Sequence, residues 1–236
     1  MTRRFFVDAP IHGETAVLVG HEAHHLSNVL RGKAGDTVVL FDGSGAEFTA
    51  AITAVQRSTV ELRVVERSEV NRELAFALTV GAALPKGDRQ RWLVEKLVEL
   101  GVTNLVPLIT ERGVAQPNAN AIERLRRAVI EASKQCGRNR LMRIRAPRKF
   151  DEYVAEAAHE SLNLLAHPTS QTDLHGWLTE SSHGGDICVA IGPEGGFTDD
   201  EVARVAAPHW HRISLGPRVL RTETAAVAIS SLIVLR

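Results

Sequence analysis

The sequence predicts an α/β protein of two domains, a small β-barrel over residues 1–72 and a parallel-sheet α/β domain over residues 73–236. Three observations point there. Short apolar segments with partial two-residue alternation fill the first 70 residues. From Leu74 onward, strand-like and helix-like segments alternate, the pattern of a parallel sheet with helices on its faces. Between them, residues 69–73 are rich in charge and carry Asn71, as a domain join does.

Taken in order, residues 5–7, 15–19, 37–41, 47–52 and 59–65 read as strands, separated by turns such as Asp42-Gly43-Ser44-Gly45. A helix over residues 22–30 sits among them as a plug. In the second domain a strand over 75–82 leads to a helix over 89–100, which Gly101 stops. A strand over 104–109 follows, then a basic helix over 120–136 and a strand over 161–166. Thr198-Asp199-Asp200-Glu201 is a capping box with acids in the first turn, so a helix starts there. The final helix, residues 225–235, is apolar on nearly every side, which implies burial in its own domain or against a second subunit.

Composition narrows the class. Apolar content of 44% with 24% charged residues is that of a soluble globular protein. The longest apolar run, 225–235, is broken by two serines and is far too short to span a membrane. The start has no basic-then-apolar export pattern, and Cys136 and Cys188 form neither a disulfide framework nor a cysteine-based zinc site. A cytoplasmic location is expected. Net charge is zero but segregated. Residues 73–150 carry 15 Lys/Arg against 7 Asp/Glu, and residues 151–236 carry 5 against 12. From Arg124 to Lys149 the only acid is Glu131, and Gly137-Arg138-Asn139-Arg140 adds two arginines in a loop. Such a stretch is either a solvated helix face or a phosphate-contacting patch, and the loop arginines favour the patch.

His21-Glu22-Ala23-His24-His25 satisfies the zinc-protease pattern H-E-x-x-H. That chemistry needs a long buried helix and a third ligand downstream. Here the helix is short, lies between Gly20 and Gly32, and belongs to the barrel, so no metal site is expected. Its end presents Arg31.

The most informative segments are two glycine-bearing loops, each after a short apolar strand and before a helix. The first is Ile191-Gly192-Pro193-Glu194-Gly195-Gly196-Phe197; the second runs from Leu215 through Arg221, Thr222 and Glu223 to Ala225. Glycine lets backbone amides and carbonyls approach a ligand closely, so a pair of such loops at neighbouring strand ends makes a pocket. Neither loop fits a phosphate binder: the first is not G-x-G-x-x-G, no Gly-Lys-Ser/Thr follows, and Glu194 would repel a phosphate. The expected ligand is neutral or cationic near Glu194 and carries hydroxyls or amines. His167, at the end of strand 161–166, is expected to border the same pocket.

These loops resemble the cofactor loops of the SPOUT methyltransferases. With Arg4-Phe5-Phe6-Val7, Val29-Leu30-Arg31, Lys86-Gly87-Asp88-Arg89, Glu99-Leu100-Gly101-Val102 and Gly137-Arg138, nearly the whole chain resembles the small-subunit (16S) ribosomal RNA uridine-N3 methyltransferase family. The resemblance implies a PUA-like RNA-binding barrel and a SPOUT domain whose chain end threads a trefoil knot. It also implies S-adenosylmethionine as methyl donor, 16S rRNA within the small ribosomal subunit as partner, and a homodimer with no membrane association. Cofactor binding is thereby carried onto Leu165, His167, Gly192, Glu194, Gly195, Gly196, Leu215, Leu220, Arg221, Thr222 and Ala225. RNA contacts fall to Arg4, Arg31, Arg138 and Arg140. Loss of the uracil N3 proton leaves negative charge on the ring, which a guanidinium stabilises; Arg221 is the first catalytic candidate, with Arg31 or Arg138 able to serve in trans. Glu223 is the second, as a general base or as a helix-start acid. Lys134 and Leu141-Met142-Arg143-Ile144 depart from the family pattern. Two other readings remain open: methylation of a ribose 2′-hydroxyl or another base, and a non-catalytic RNA-binding assembly factor.

Overall fold

A computed structural model describes residues 3–114, 118–157, 161–170, 172, 174, 185–205 and 209–235. It divides into two compact units, Met1–Glu73 with Ile130–Leu141, and Leu74–Val129 with Met142–Arg236. Besides the amino-terminal residues, the first unit takes in the segment Ile130–Leu141.

The first unit is a curled five-stranded sheet built from β1 (Arg4–Phe6), β2 (Thr15–Val19), β3 (Thr37–Phe41), β4 (Glu47–Val55) and β5 (Thr59–Ser68), in the order β1-β3-β4-β5-β2. Pairing is antiparallel except between β1 and β3. Register shifts in β4 at Thr49/Ala50 and Ile52/Ala54 bend that strand, which is how a sheet curls over its own core. Alternation decides the faces: Ala16 and Leu18 of β2 point inward, as do Phe48, Ala50 and Ile52 of β4. The plug expected over residues 22–30 is α1 (Gly20–His24) running into a π-helical turn (His25–Val29), with Leu26 buried against the sheet core.

That turn ends unusually. Leu30 N–H donates to the His25 carbonyl and Gly32 N–H to the Leu26 carbonyl, which throws Arg31 to φ 52° between them. A left-handed arginine costs about 1–2 kcal/mol, and it leaves the side chain exposed.

Ion pairs fix Ile130–Leu141 within this unit. Lys134 Nζ reaches Glu22 at 2.8 Å and Glu131 at 3.1 Å and lies 5.8 Å from the centre of the Phe5 ring. Arg138 forms a fork with Glu73, at 3.1 and 2.5 Å. Arg4 donates to Glu47 at 2.9 Å and Asn139 at 2.6 Å.

The second unit contains a parallel sheet. Its strands are β6 (Leu78–Ala82), β7 (Asn104–Ile109), β8 (Arg143–Ile144), β10 (Leu162–Ala166), β11 (Ile187–Ile191) and β12 (Trp210–Ile213), ordered β12-β10-β11-β6-β7-β8, with β9 (Arg148–Lys149) also on β7. The helices are α2 (Arg89–Glu99), α3 (Ala119–Cys136, whose last residues belong to the first unit), α4 (Phe150–Glu156), α5 (Asp199–Arg204) and α6 (Thr222–Val234). Gly101 stops α2 at φ 81°, and the Thr198/Glu201 box caps α5. The last helix opens at Thr222, as the Thr222–Ala225 segment of the sequence indicates, with Arg221 as its extended N-cap.

An aromatic cluster packs in this unit's core. Phe150 stacks on Phe197 at 4.3 Å, Tyr153 lies beside Trp210, and the Tyr153 hydroxyl donates to the Val189 carbonyl at 2.9 Å. Burial pushes the Tyr153 phenol well above its ordinary pKa, so it stays a neutral donor. Gly81 leaves room for this ring: a Cβ there would lie 2.6 Å from Tyr153 Cζ. Gly81→Val is expected to cost about 1–3 kcal/mol through overpacking. A urea titration should show the midpoint falling at unchanged slope.

Candidate functional site

The pocket follows from strand register. Ala166 is paired with both Ile191 and Ile213, and Ile191 with Ala82, so β12, β10, β11 and β6 finish at one level. The chain leaves these strands at His167, Gly192, Ser214 and Ala83. Ligands of parallel sheets bind outside such carboxyl ends, where successive loops diverge. The cleft there encloses about 590 Å³ including its open mouth.

Its wall brings together eight of the sequence-derived residues: His167, Gly192, Glu194, Gly196, Leu215, Leu220, Thr222 and Ala225. Leu165 is fully buried in β10, part of the core below the pocket rather than its wall. Gly195 is exposed outside the wall, and its carbonyl accepts from Arg112 Nη1 at 2.8 Å. Arg221 is likewise exposed outside the wall, next to Thr222.

The first loop is a tight turn, Gly196 N–H donating to the Pro193 carbonyl at 2.8 Å with Gly196 at φ 70°. The two loops are tied directly, since the Thr222 hydroxyl donates to the Gly192 carbonyl at 2.9 Å. Glu223 is 6% exposed and is absent from the wall. Its Oε1 accepts from Arg89 at 3.3 Å, and its Oε2, also buried, has no hydrogen-bond partner among the described residues. The same Arg89 Nη1 donates to Glu194 at 3.1 Å. Partial desolvation opposes the charge on Arg89, but Glu223 and Glu194 more than offset it and raise its pKa.

Burial, reinforced by Arg212, pushes the His167 imidazole below its ordinary value, so it is neutral at pH 7. The Thr169 hydroxyl lies 3.0 Å from His167 Nδ1.

Arg89 and Arg112 were not among the sequence-derived site residues. Arg89 opens α2 and Arg112 follows β7, and their partners lie too far along the chain to leave a local signal. The RNA-contact candidates divide. Arg31 and Arg140 are exposed, Arg140 lying against the Gly45 backbone. Arg4 is partly buried and held by Glu47 and Asn139, and Arg138, 4% exposed, is spent on Glu73. Contact of either with phosphate would require breaking those pairs. In the H-E-x-x-H segment, Glu22 binds Lys134 and accepts from Phe6 N–H. Donor atoms of His21, Glu22 and Glu131 do lie within 4.8 Å of one another. Lys134 Nζ, bonded to both carboxylates, already supplies the positive charge there.

Comparisons with known proteins agree with this geometry. Residues 72–234 match the RNA methyltransferase domain family, and residues 18–65 match the RNA methyltransferase PUA domain. The ribosomal RNA small subunit methyltransferase E of Synechocystis sp. is 35% identical over 213 residues, 89% of this chain and 70% of that protein. The enzyme of the same name from Bacillus subtilis is 29% identical over 234 residues, 95% of this chain and 90% of that one. A methyltransferase structure from Legionella pneumophila, solved with the cofactor SAM bound, aligns with a TM-score of 0.90 at 34% identity, over 99% of this chain and 97% of that one. The small subunit methyltransferase E of Neisseria gonorrhoeae, bound to S-adenosyl methionine, gives 0.90 at 29% identity and the same coverage.

Removing one partner of a buried ion pair strands the other. Arg138→Ala is expected to lose on the order of 3 kcal/mol of stability. Chemical denaturation should show this loss, and Arg138→Ala with Glu73→Gln should recover most of it.

Proposed function

The chain belongs to the RNA methyltransferase domain family, and from that premise we propose that it is an S-adenosylmethionine-dependent methyltransferase of small-subunit ribosomal RNA, acting on N3 of a uridine. The observation that carries this reading is the convergence of both glycine loops on one cleft, tied by Thr222 and Gly192, in a fold that matches solved methyltransferases bound to that cofactor.

The donor set fits the cofactor. Leu215, Leu220 and Ala225 give apolar surface for an adenine. Glu194 holds Arg89 by one oxygen, and the other is available to a hydroxyl or a positive group. Neutral His167 adds no charge against a sulfonium. The cofactor supplies an electrophilic methyl group, so the protein's work is alignment, exclusion of water and stabilisation of charge on the base.

Arg221 is the catalytic residue in this reading. It is exposed at the N-cap of α6, next to Thr222 of the cleft wall, and its guanidinium stabilises the negative charge left on O2 or O4. Glu223 is ion-paired and buried behind Thr222, which favours a helix-start anchor over a proton acceptor. The target uridine must be unpaired or turned out of its stack to present N3.

Three further parts of the proposal rest on the same premise. A homodimer is supported by Trp92 on α2 and Leu232 and Leu235 at the end of α6, all exposed although α2 and α6 pack together. A knotted chain end is supported by the route from β12, at the sheet edge, back to a helix that packs on β11, β6 and α2. RNA contact by the first unit is supported by exposed Arg31 and Arg140. Among the described residues no helix is long and apolar enough to cross a membrane, and a ribosomal substrate implies the cytoplasm.

With labelled S-adenosylmethionine and small subunits lacking the modification, label is expected in 3-methyluridine, and Arg221→Ala should lower kcat by roughly 10²–10³-fold. Label in a 2′-O-methyl nucleoside would replace the substrate claim, and absence of cofactor binding would favour an assembly factor.

His167 gives a pH test. Its lowered pKa means the folded protein resists protonating it, so its contribution to stability is full above the ordinary imidazole range and falls as pH drops below about 6.5, and a protonated ring would also set positive charge beside the sulfonium. Calorimetric affinity for S-adenosylmethionine is expected to weaken on acidification in the wild type and to stay level in His167→Gln.

A further inference from the structure

We propose that Arg89 is a positioning residue that aims Glu194 into the cleft by sharing one guanidinium nitrogen between the two cofactor loops, an inference that rests on the cofactor reading above.

Local structure gives Arg89 no reason to be where it is. It is the first residue of α2, a helix with no acid in its first turn, and a cation at a helix N-terminus opposes the helix dipole. A residue that breaks a local rule needs a gain elsewhere. The gain lies 105 and 134 residues away, on Glu194 in the first loop and Glu223 in the first turn of α6. Both carboxylates bind the same Nη1, so they are close neighbours and would repel each other without it.

The two ends of the bridge differ. Glu223 is almost fully enclosed, and its other oxygen is buried without a partner among the described residues, so its charge is anchored and cannot swing to water. Glu194, at 41% side-chain exposure, lines the cleft and is the end that can move. Arg89 therefore converts a fixed buried charge into a fixed position for an exposed one. Thr222, immediately before Glu223, makes the other link between the loops. The sidewall carboxylate and the start of α6 are thus set as one piece, and a bound ligand meets Glu194 already oriented.

A merely structural Arg89, present only to neutralise Glu223, predicts something different, and one variant separates the two. Arg89→Ala strands the buried Glu223; adding Glu223→Gln removes that charge and is expected to restore the melting temperature. If Arg89 positions Glu194, the double variant still binds S-adenosylmethionine about tenfold more weakly by calorimetry, the worth of one charge-assisted hydrogen bond. Arg89→Lys should retain most of the affinity. Wild-type affinity in the double variant would overturn the proposal. Should that variant fail to fold, Glu194→Gln, which keeps the Arg89–Glu223 pair, is expected to lose the same factor; wild-type binding there would overturn it equally. If the unmodified protein itself does not bind S-adenosylmethionine, it is the cofactor reading that falls.

Discussion

The site depends on one constraint, the common level at which β12, β10, β11 and β6 end. Strand pairing sets it, because Ala166, Ile191 and Ile213 are the last residues of their strands and lie side by side in register. A parallel sheet hides its strands and delivers its polar backbone ends to a single rim. The loops leaving that rim have no regular partners for their amides and carbonyls, and glycine allows them to turn tightly enough to face one another. Phe150, Phe197, Tyr153 and Trp210 pack together in the core of the same unit. Phe197 closes the first loop and packs in that cluster, so loop geometry and core packing are one constraint rather than two.

Charge is used internally more than its distribution along the chain suggests. The acidic last third and the basic middle meet as Arg89 with Glu194 and Glu223, while Arg204 makes the reverse exchange with Glu111. In the first unit Arg4, Arg72, Lys134 and Arg138 are all held by Glu47, Glu22, Glu131 or Glu73. A basic run in a sequence counts charges without saying which of them already have a partner.

What could be read from the chain alone was local. Two-residue alternation gave the strands of the first unit, Gly101 the end of α2, and Thr198 with Glu201 the start of α5, because each signal lies within a few residues of its effect. The two loops were legible for the same reason: their glycines and the strands before them are adjacent in sequence. Arg89 was not, since its meaning resides in carboxylates more than a hundred residues distant. Neither was the burial of Arg138, whose partner Glu73 lies 65 residues away. The short strands β8 and β9 carry too few residues to show a period. The H-E-x-x-H match shows the opposite failure, a local pattern that signals metal while its glutamate serves a lysine.

The membership of Ile130–Leu141 in the first unit has a consequence for how the protein is made. Arg4, Glu22, Glu47, Arg72 and Glu73 all find partners in that segment. A nascent chain that has emerged only as far as residue 73 can pair Glu47 with Arg4 and Arg72, but Glu22 and Glu73 hold charges whose counterparts have not yet been synthesised. Its sheet can collapse, but Arg138 and Lys134 arrive some sixty residues later, after β6, α2 and β7 have left the ribosome. Completion of the amino-terminal unit therefore waits on sequence from the middle of the chain. The two units mature together during translation rather than one after the other.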